Sequence, residues 1–176
     1  SDSGATAIFV ETPLLAELVS SVKAKNLKHI WTITDDVVYM LTNIGSHISD
    51  SEIDERRNKL NPQTLATLIY TSGTTGLPKA ANINHYRVSA MALGFSSVME
   101  VKAKDRLYDC LPMYHSNGGI LATLGVLIQG GSVVIREKLS VREFWADVIK
   151  HQCSLFFYIG EVCRYLLNAP PSPLDH

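Results

Sequence analysis

The chain has 176 residues, 46% hydrophobic and 19% charged, with a formal net charge of −1. That is the composition of one soluble globular domain large enough to bury a core. Its Lys and Arg are scattered, which excludes the clustered basic surface that a nucleic-acid backbone demands, so no nucleic-acid partner is expected.

Residues 5–11 (ATAIFVE) predict a strand. Pro13 then opens a helix to about Lys25, with Leu14, Leu15, Leu18, Val19 and Val22 on one face. Residues 29–34 (HIWTIT) and 37–41 (VVYML) follow as strands. Residues 43–63 are polar and irregular, with a short charged helix at most; DERRNK (54–59) mixes both signs and reads as a solvated surface. LATLIYT (65–71) predicts a buried strand running into a glycine-containing loop. Asn84 caps a helix in which Val88, Met91, Ala92 and Phe95 recur at helical spacing. RLYDCLP (106–112) is a strand, 119–129 a helix, and SVVIRE (132–137) a strand. Ser140 caps a helix to about Lys150, with Val141, Phe144, Trp145 and Val148 facing inward. SLFFYI (154–159) and EVCRYLLN (161–168) complete the order as a strand and a last helix.

Strands that are continuous apolar runs and alternate with helices predict an α/β fold, with a largely parallel sheet flanked by helices. Residues 111–135 carry no formal charge apart from His115 when protonated. Two glycine pairs and Gln129 interrupt them, so a buried helix, a turn and a buried strand are expected in place of a membrane span. Cys110, Cys153 and Cys163 are odd in number, lack C-x-x-C spacing and sit among apolar residues. Buried reduced thiols of an intracellular protein are expected, with no zinc site and no metal ligand set in this chain.

The loop YTSGTTGLPK (70–79) carries the clearest chemistry. A phosphate needs several donors converging from one side. Gly73 and Gly76 permit positive φ and close backbone approach. Successive N–H groups in such a turn form an anion-holding concavity. Thr71, Ser72, Thr74 and Thr75 add hydroxyls, Lys79 adds a mobile positive charge, and Pro78 stiffens the approach to it. The spacing is not that of a Walker A loop, which has four residues between its glycines and Lys directly after the second. The bland alternative is an ordinary Ser/Thr/Gly turn after a strand.

This string resembles the phosphate-binding signature of the adenylate-forming enzymes: acyl-CoA synthetases, luciferases and peptide-synthetase adenylation domains. YDCLPMYHSNGG, VVIREKLSVREFWADVIK and YIGEVCRYLLNAPP resemble the fatty acid transport protein branch, the very long-chain acyl-CoA synthetases. The likeness is strongest from about Leu65 to Pro171 and looser before it. It implies that residues 1–176 are part of the large AMP-binding domain. It also implies a two-step ligase: a fatty carboxylate attacks the α-phosphate of ATP, and coenzyme A then displaces AMP from the acyl-adenylate. Carried over by position, Tyr70, Thr71, Ser72, Gly73, Thr74, Thr75, Gly76, Leu77, Pro78 and Lys79 form the ATP/AMP phosphate loop, with Mg²⁺ accompanying the nucleotide. His115 matches a His or aromatic position near the acyl and adenylate pocket, as a wall or gate in preference to an acid–base group. A lone His beside apolar residues is otherwise a satisfied structural histidine. The turn containing Tyr158, Gly160 and Glu161 falls beside the acyl pocket; Glu161 also suits a plain first helical turn.

Asn117, Gly119 and Phe157 depart from the branch pattern, which has Ala, Asn and Gln there, so chain-length preference is not carried over. The family's downstream acidic motif, ribose-binding Asp, hinge and small C-terminal domain with its catalytic Lys are not found before His176. Both ends read as cuts through a longer protein, and the 176-residue piece alone is expected to lack complete ligase activity. The resemblance implies a membrane-associated parent, at the endoplasmic reticulum, peroxisome or plasma membrane, with associated fatty acid uptake and no anchor in this chain. Two other classes compete: a non-catalytic lipid-binding or interaction module, and an unrelated nucleotide-binding ATPase.

Overall fold

The structure, a computed structural model, describes residues 3–71, 76 and 78–171. The chain divides into two compact units, Ser1–Asn61 and Pro62–His176.

In the first unit, strand β1 (Ala7–Val10) and strand β2 (His29–Thr32) pair in parallel, Ala7 opposite His29. Helix α1 (Pro13–Ser21) connects them; Thr12 caps it by accepting from the Leu15 amide at 3.3 Å. Proline at its start loses no helical bond, because that N–H has no partner in any helix. The helix stops short of the predicted Lys25 because Lys23 turns left-handed, at φ 50°. Its apolar face, Leu14, Leu15, Leu18 and Val22, is exposed. The predicted strand VVYML is instead the start of helix α2 (Val37–Gly45). A turn decides this. Thr34 donates its hydroxyl to Asp36 at 2.5 Å, the Val37 amide donates to the Thr34 carbonyl at 3.1 Å, and Met40 then begins the helical ladder on Asp36 at 2.9 Å. The β-branched pair is overruled by its neighbours. Helix α3 (Asp50–Asn58) is the short charged helix that was expected, capped by Ser49, acidic in its first turn and basic in its last.

The second unit opens with a hairpin. Strand β3 (Leu65–Thr71) pairs antiparallel with β4 (Lys79–Asn84), a strand the sequence reading lacks. β3 was expected to be buried; its middle is half-buried and its ends are exposed. Helix α4 (His85–Val98) follows, and Asn84 caps it as predicted, its Oδ1 accepting from the Arg87 amide at 2.9 Å.

The rest of this unit surrounds a parallel sheet of order β6-β5-β7: β5 (Arg106–Asp109), β6 (Ser132–Ile135) and β7 (Leu155–Phe156). Successive strand residues point to opposite faces. Leu107, Val133 and Leu155 therefore pack with Ala122, Val126 and Phe95 on one side. Tyr108, Val134 and Phe156 pack with Phe144 and Val148 on the other. The first side is covered by a π-helical segment (Ser116–Leu124) that runs into the short helix α5 (Gly125–Leu127), where one α-helix over 119–129 was predicted. The second is covered by α6 (Phe144–Lys150), which starts four residues beyond the predicted Ser140 cap and leaves Trp145 38% exposed, not inward. Helix α7 (Gly160–Leu167) ends the described chain. The α/β, largely parallel expectation holds, with the β3–β4 hairpin as the antiparallel exception.

Several helices end alike. Gly130 after α5 is left-handed (φ 81°), and so are Glu100 after α4 (φ 49°) and Gln152 after α6 (φ 52°). In each of these three turns the next amide donates back to the helix: Gly131 to Val126, Val101 to Ser96 and Cys153 to Val148. Cys110 is buried and the other two cysteines half-buried, all three free. Among the described residues no helix is long and apolar enough to cross a membrane.

Candidate functional site

The hairpin register sets the site. Thr71 pairs with Lys79 and closes the loop between them; Ile69 pairs with Ala81 and Thr67 with Ile83. Alternation puts Thr67, Ile69 and Thr71 on one face, and their cross-strand partners share it. Ser72, Gly73, Thr74, Thr75 and Leu77 lie outside the described residues. Gly76 adopts φ +91°, the left-handed conformation predicted for the loop, where any side chain would be strained. Tyr70, Thr71, Pro78 and Lys79 are exposed.

A groove of about 560 Å³ borders this face. β3 contributes Ala66, Thr67 and Ile69; α4 contributes His85 and Val88; the segment after β5 contributes Met113, Tyr114, His115, Ser116, Gly119, Ile120, Thr123 and Leu124. The β3–β4 pairing slips between Leu65 and Thr67. Such a bulge re-aims side chains, and here the consecutive Ala66 and Thr67 both reach the groove.

The far wall depends on a glycine pair. A Cβ on Gly118 would lie 2.6 Å from the Pro112 carbonyl oxygen, and one on Gly119 2.3 Å from that of Met113. No side chain fits, so the π-helical segment can close directly onto the 112–115 loop. His115 caps that segment: its Nδ1 accepts from the Asn117 amide at 3.3 Å. In the neutral ring the proton then sits on Nε2. The His115 side chain is exposed and borders both the groove and a smaller cavity of about 180 Å³, shared with Leu111, Pro112, Asn117 and Ile159.

Tyr158, Gly160 and Glu161 are exposed, and it is Ile159 between them that lines the small cavity. Glu161 stands in the first turn of α7 and accepts from Arg164 Nε at 3.1 Å.

Asp109 was not singled out from sequence, although an acidic residue inside an otherwise apolar strand is a signal, because burying a charge is costly. It is fully buried at the carboxyl end of β5. Its Oδ1 accepts from the Leu111 amide at 3.0 Å and its Oδ2 from the Thr123 hydroxyl at 3.1 Å. Burial pushes its carboxyl above the ordinary carboxylate range, against the pull of those two bonds. Among the described residues no group of His, Cys, Asp and Glu is arranged to hold a metal.

The family described as AMP-binding enzyme matches residues 1–175. The chain belongs to that family. The match extends over the region before Leu65, where the sequence likeness was looser. Among relatives of this chain, the mouse long-chain fatty acid transport protein 3 is 38% identical over 180 residues, covering 98% of this chain and 27% of its own. The medium/long-chain fatty-acid–CoA ligase FadD6 of Mycobacterium tuberculosis is 42% identical over 111 residues, covering 62% of this chain and 19% of its own. In the ATP-bound MatB structure from Rhodopseudomonas palustris the same fold recurs, with a TM-score of 0.79 at 23% identity, over 96% of this chain and 32% of that one. This chain thus spans only about a quarter or less of the curated relatives named here.

Proposed function

We propose that this chain is part of the large domain of a longer protein that activates long or very long-chain fatty acids to acyl-CoA through an acyl-adenylate, with associated fatty acid uptake at a membrane. The observation that carries this reading is the shared face of the hairpin. Thr71 and Lys79, at the mouth of the phosphate loop, stand on the same strand face as Thr67 and Ile69 of the groove. Ile69 is two residues from Thr71, about 7 Å along the strand. An acyl chain in the groove would present its carboxylate toward phosphates held in the loop.

The described residues fit a nucleotide phosphate. Gly76 has the left-handed backbone such a loop needs, and the Lys79 ammonium and Thr71 hydroxyl are exposed at its two ends. ATP, when bound, supplies the phosphorus that the carboxylate attacks and the pyrophosphate that leaves. Lys79, Thr71 and the loop donors would hold that pyrophosphate as charge builds on it. Mg²⁺ would arrive with the nucleotide. Coenzyme A would enter in the second step, with the adenine, ribose and thioester contacts supplied by the remainder of the protein. His115 walls the acyl side, and its Nε2 proton is the ring's donor.

The test uses the full-length protein with ATP, Mg²⁺, coenzyme A and fatty acids of graded length. Pyrophosphate release that requires the fatty acid, with acyl-CoA seen by mass spectrometry, is the expected result. ATP hydrolysis without any fatty acid would sink the reading in favour of an ATPase. Fatty acid binding with no ATP dependence would favour a lipid-binding module.

A further inference from the structure

We infer that Asp109 is a positioning residue for the groove: bonded to the Leu111 amide and the Thr123 hydroxyl, it holds the π-helical segment and the loop that carries His115 in one fixed arrangement. The inference rests on the acyl reading of the groove given above.

Asp109 is 0% exposed and Thr123 7% exposed. Among the described residues Asp109 has no ion pair within 4.0 Å. A buried carboxyl without a counter-charge is expensive, and an apolar residue at the same place would be cheaper for the fold. Leu107, two residues earlier on the same face of the strand, is fully buried and apolar. What the carboxyl adds is a link between two separate segments. Leu111 begins the loop that carries Met113, Tyr114 and His115. Thr123 belongs to the π-helical segment, which sends Gly119 and Ile120, then Thr123 and Leu124 one turn later, into the groove. The Thr123 hydroxyl also lies 3.4 Å from Met113 Sδ, so both segments meet at one partly buried point. Asp109 itself lines neither cavity. It acts through Thr123, Met113 and the loop.

The test is made in the full-length protein with Thr123→Val, Thr123→Ser and Asp109→Asn. Pyrophosphate release is measured against fatty acids of graded length, and equilibrium binding of a fluorescent fatty acid is measured without ATP. Thr123→Val is expected to raise KM for the fatty acid about tenfold, the scale of losing one hydrogen bond to a charged group, and by unequal factors along the series. KM for ATP should stay within about twofold of wild type, as expected when only one substrate is displaced. Thr123→Ser, which keeps the hydroxyl, recovers most of the loss, and Asp109→Asn shifts the profile in the same direction as Thr123→Val. A folded Thr123→Val protein with the wild-type profile overturns the inference. So does a Thr123→Ser protein as impaired as the valine variant. If Asp109→Asn does not fold, the Thr123 pair decides. A wild type that binds the fluorescent fatty acid but releases no pyrophosphate overturns only the ligase reading, and the binding shift in Thr123→Val then judges Asp109. No binding by wild type overturns both.

Discussion

β3 and β5 lie in two stretches that both read as strands, LATLIYT and RLYDCLP, yet they hold opposite positions. β5 has a parallel neighbour on each side and packed helices on both faces, and Leu107, Tyr108 and Asp109 are fully buried. Among the described residues β3 pairs with β4 alone, and it has an open groove on one face and exposed ends. Apolar content therefore does not separate scaffold from site; what surrounds the strand does. Changes around β5 should therefore act on stability, and changes around the β3–β4 hairpin on activity.

The largest effect should come from Phe144→Ala. Phe144 is 0% exposed and meets Tyr108 and Phe156 edge-on at 5.1 and 5.3 Å. Truncation should cost about 3–5 kcal/mol, read from the urea unfolding midpoint. A loss below about 1 kcal/mol would break the picture of β5 as the supported strand. Lys79→Ala should do the reverse. Losing a preorganised charge at a phosphoryl site costs about 2.7–4 kcal/mol of barrier, or ~10²–10³ in rate. Fatty-acid-dependent pyrophosphate release should fall by that factor while the thermal midpoint stays put. Wild-type release would remove Lys79 from the site. Asn84→Ala tests the joint between hairpin and α4. Without the bond to the Arg87 amide, stability should drop by about 1 kcal/mol, measurable by thermal denaturation.

The smallest effect at neutral pH concerns Tyr108. Burial, and then its hydrogen bond to Asp147 at 3.1 Å, push the phenol from 10.0 up to about 12. The folded state keeps this proton where the unfolded chain has lost it. The stability tied to it is therefore full below pH 10 and lost as pH rises through about 12. Tyr108→Phe should flatten that slope in alkaline unfolding curves. An unchanged slope would mean that another group carries it.

Much of this was legible. β5, β6 and β7 lie in the stretches RLYDCLP, SVVIRE and SLFFYI, whose central residues are apolar, and strands of a helix-covered parallel sheet carry such residues on both faces. The Asn84 cap was readable because its side chain acts locally, on an amide three residues on. β4 was not readable. KAANIN has one β-branched residue, and its strand conformation comes from pairing with β3. VVYML misled because the Thr34–Asp36 turn outweighs the propensity of two valines. The π-helical segment follows from contacts that only the fold creates, with Gly118 and Gly119 against carbonyls of the 112–115 loop. In the site, the donor-rich loop stood out in the sequence and Gly76 takes the expected left-handed backbone, while Ser72, Gly73, Thr74, Thr75 and Leu77 lie outside the described residues. The groove was not legible, since Ala66 and Thr67 reach it through a slip in register that no composition announces.

The left-handed turns that close the helices have a consequence for how this chain can change. Gly130 makes such a turn without a Cβ, whereas Lys23, Glu100 and Gln152 make theirs with one. A Cβ in that conformation costs about 1–2 kcal/mol. None of these three residues lines the groove or the small cavity. They are therefore places where glycine would return stability without touching the site. Substitutions that reshape a groove usually destabilise. Such a loss could be offset in connections that lie away from both cavities, which leaves the shape of the groove free to change.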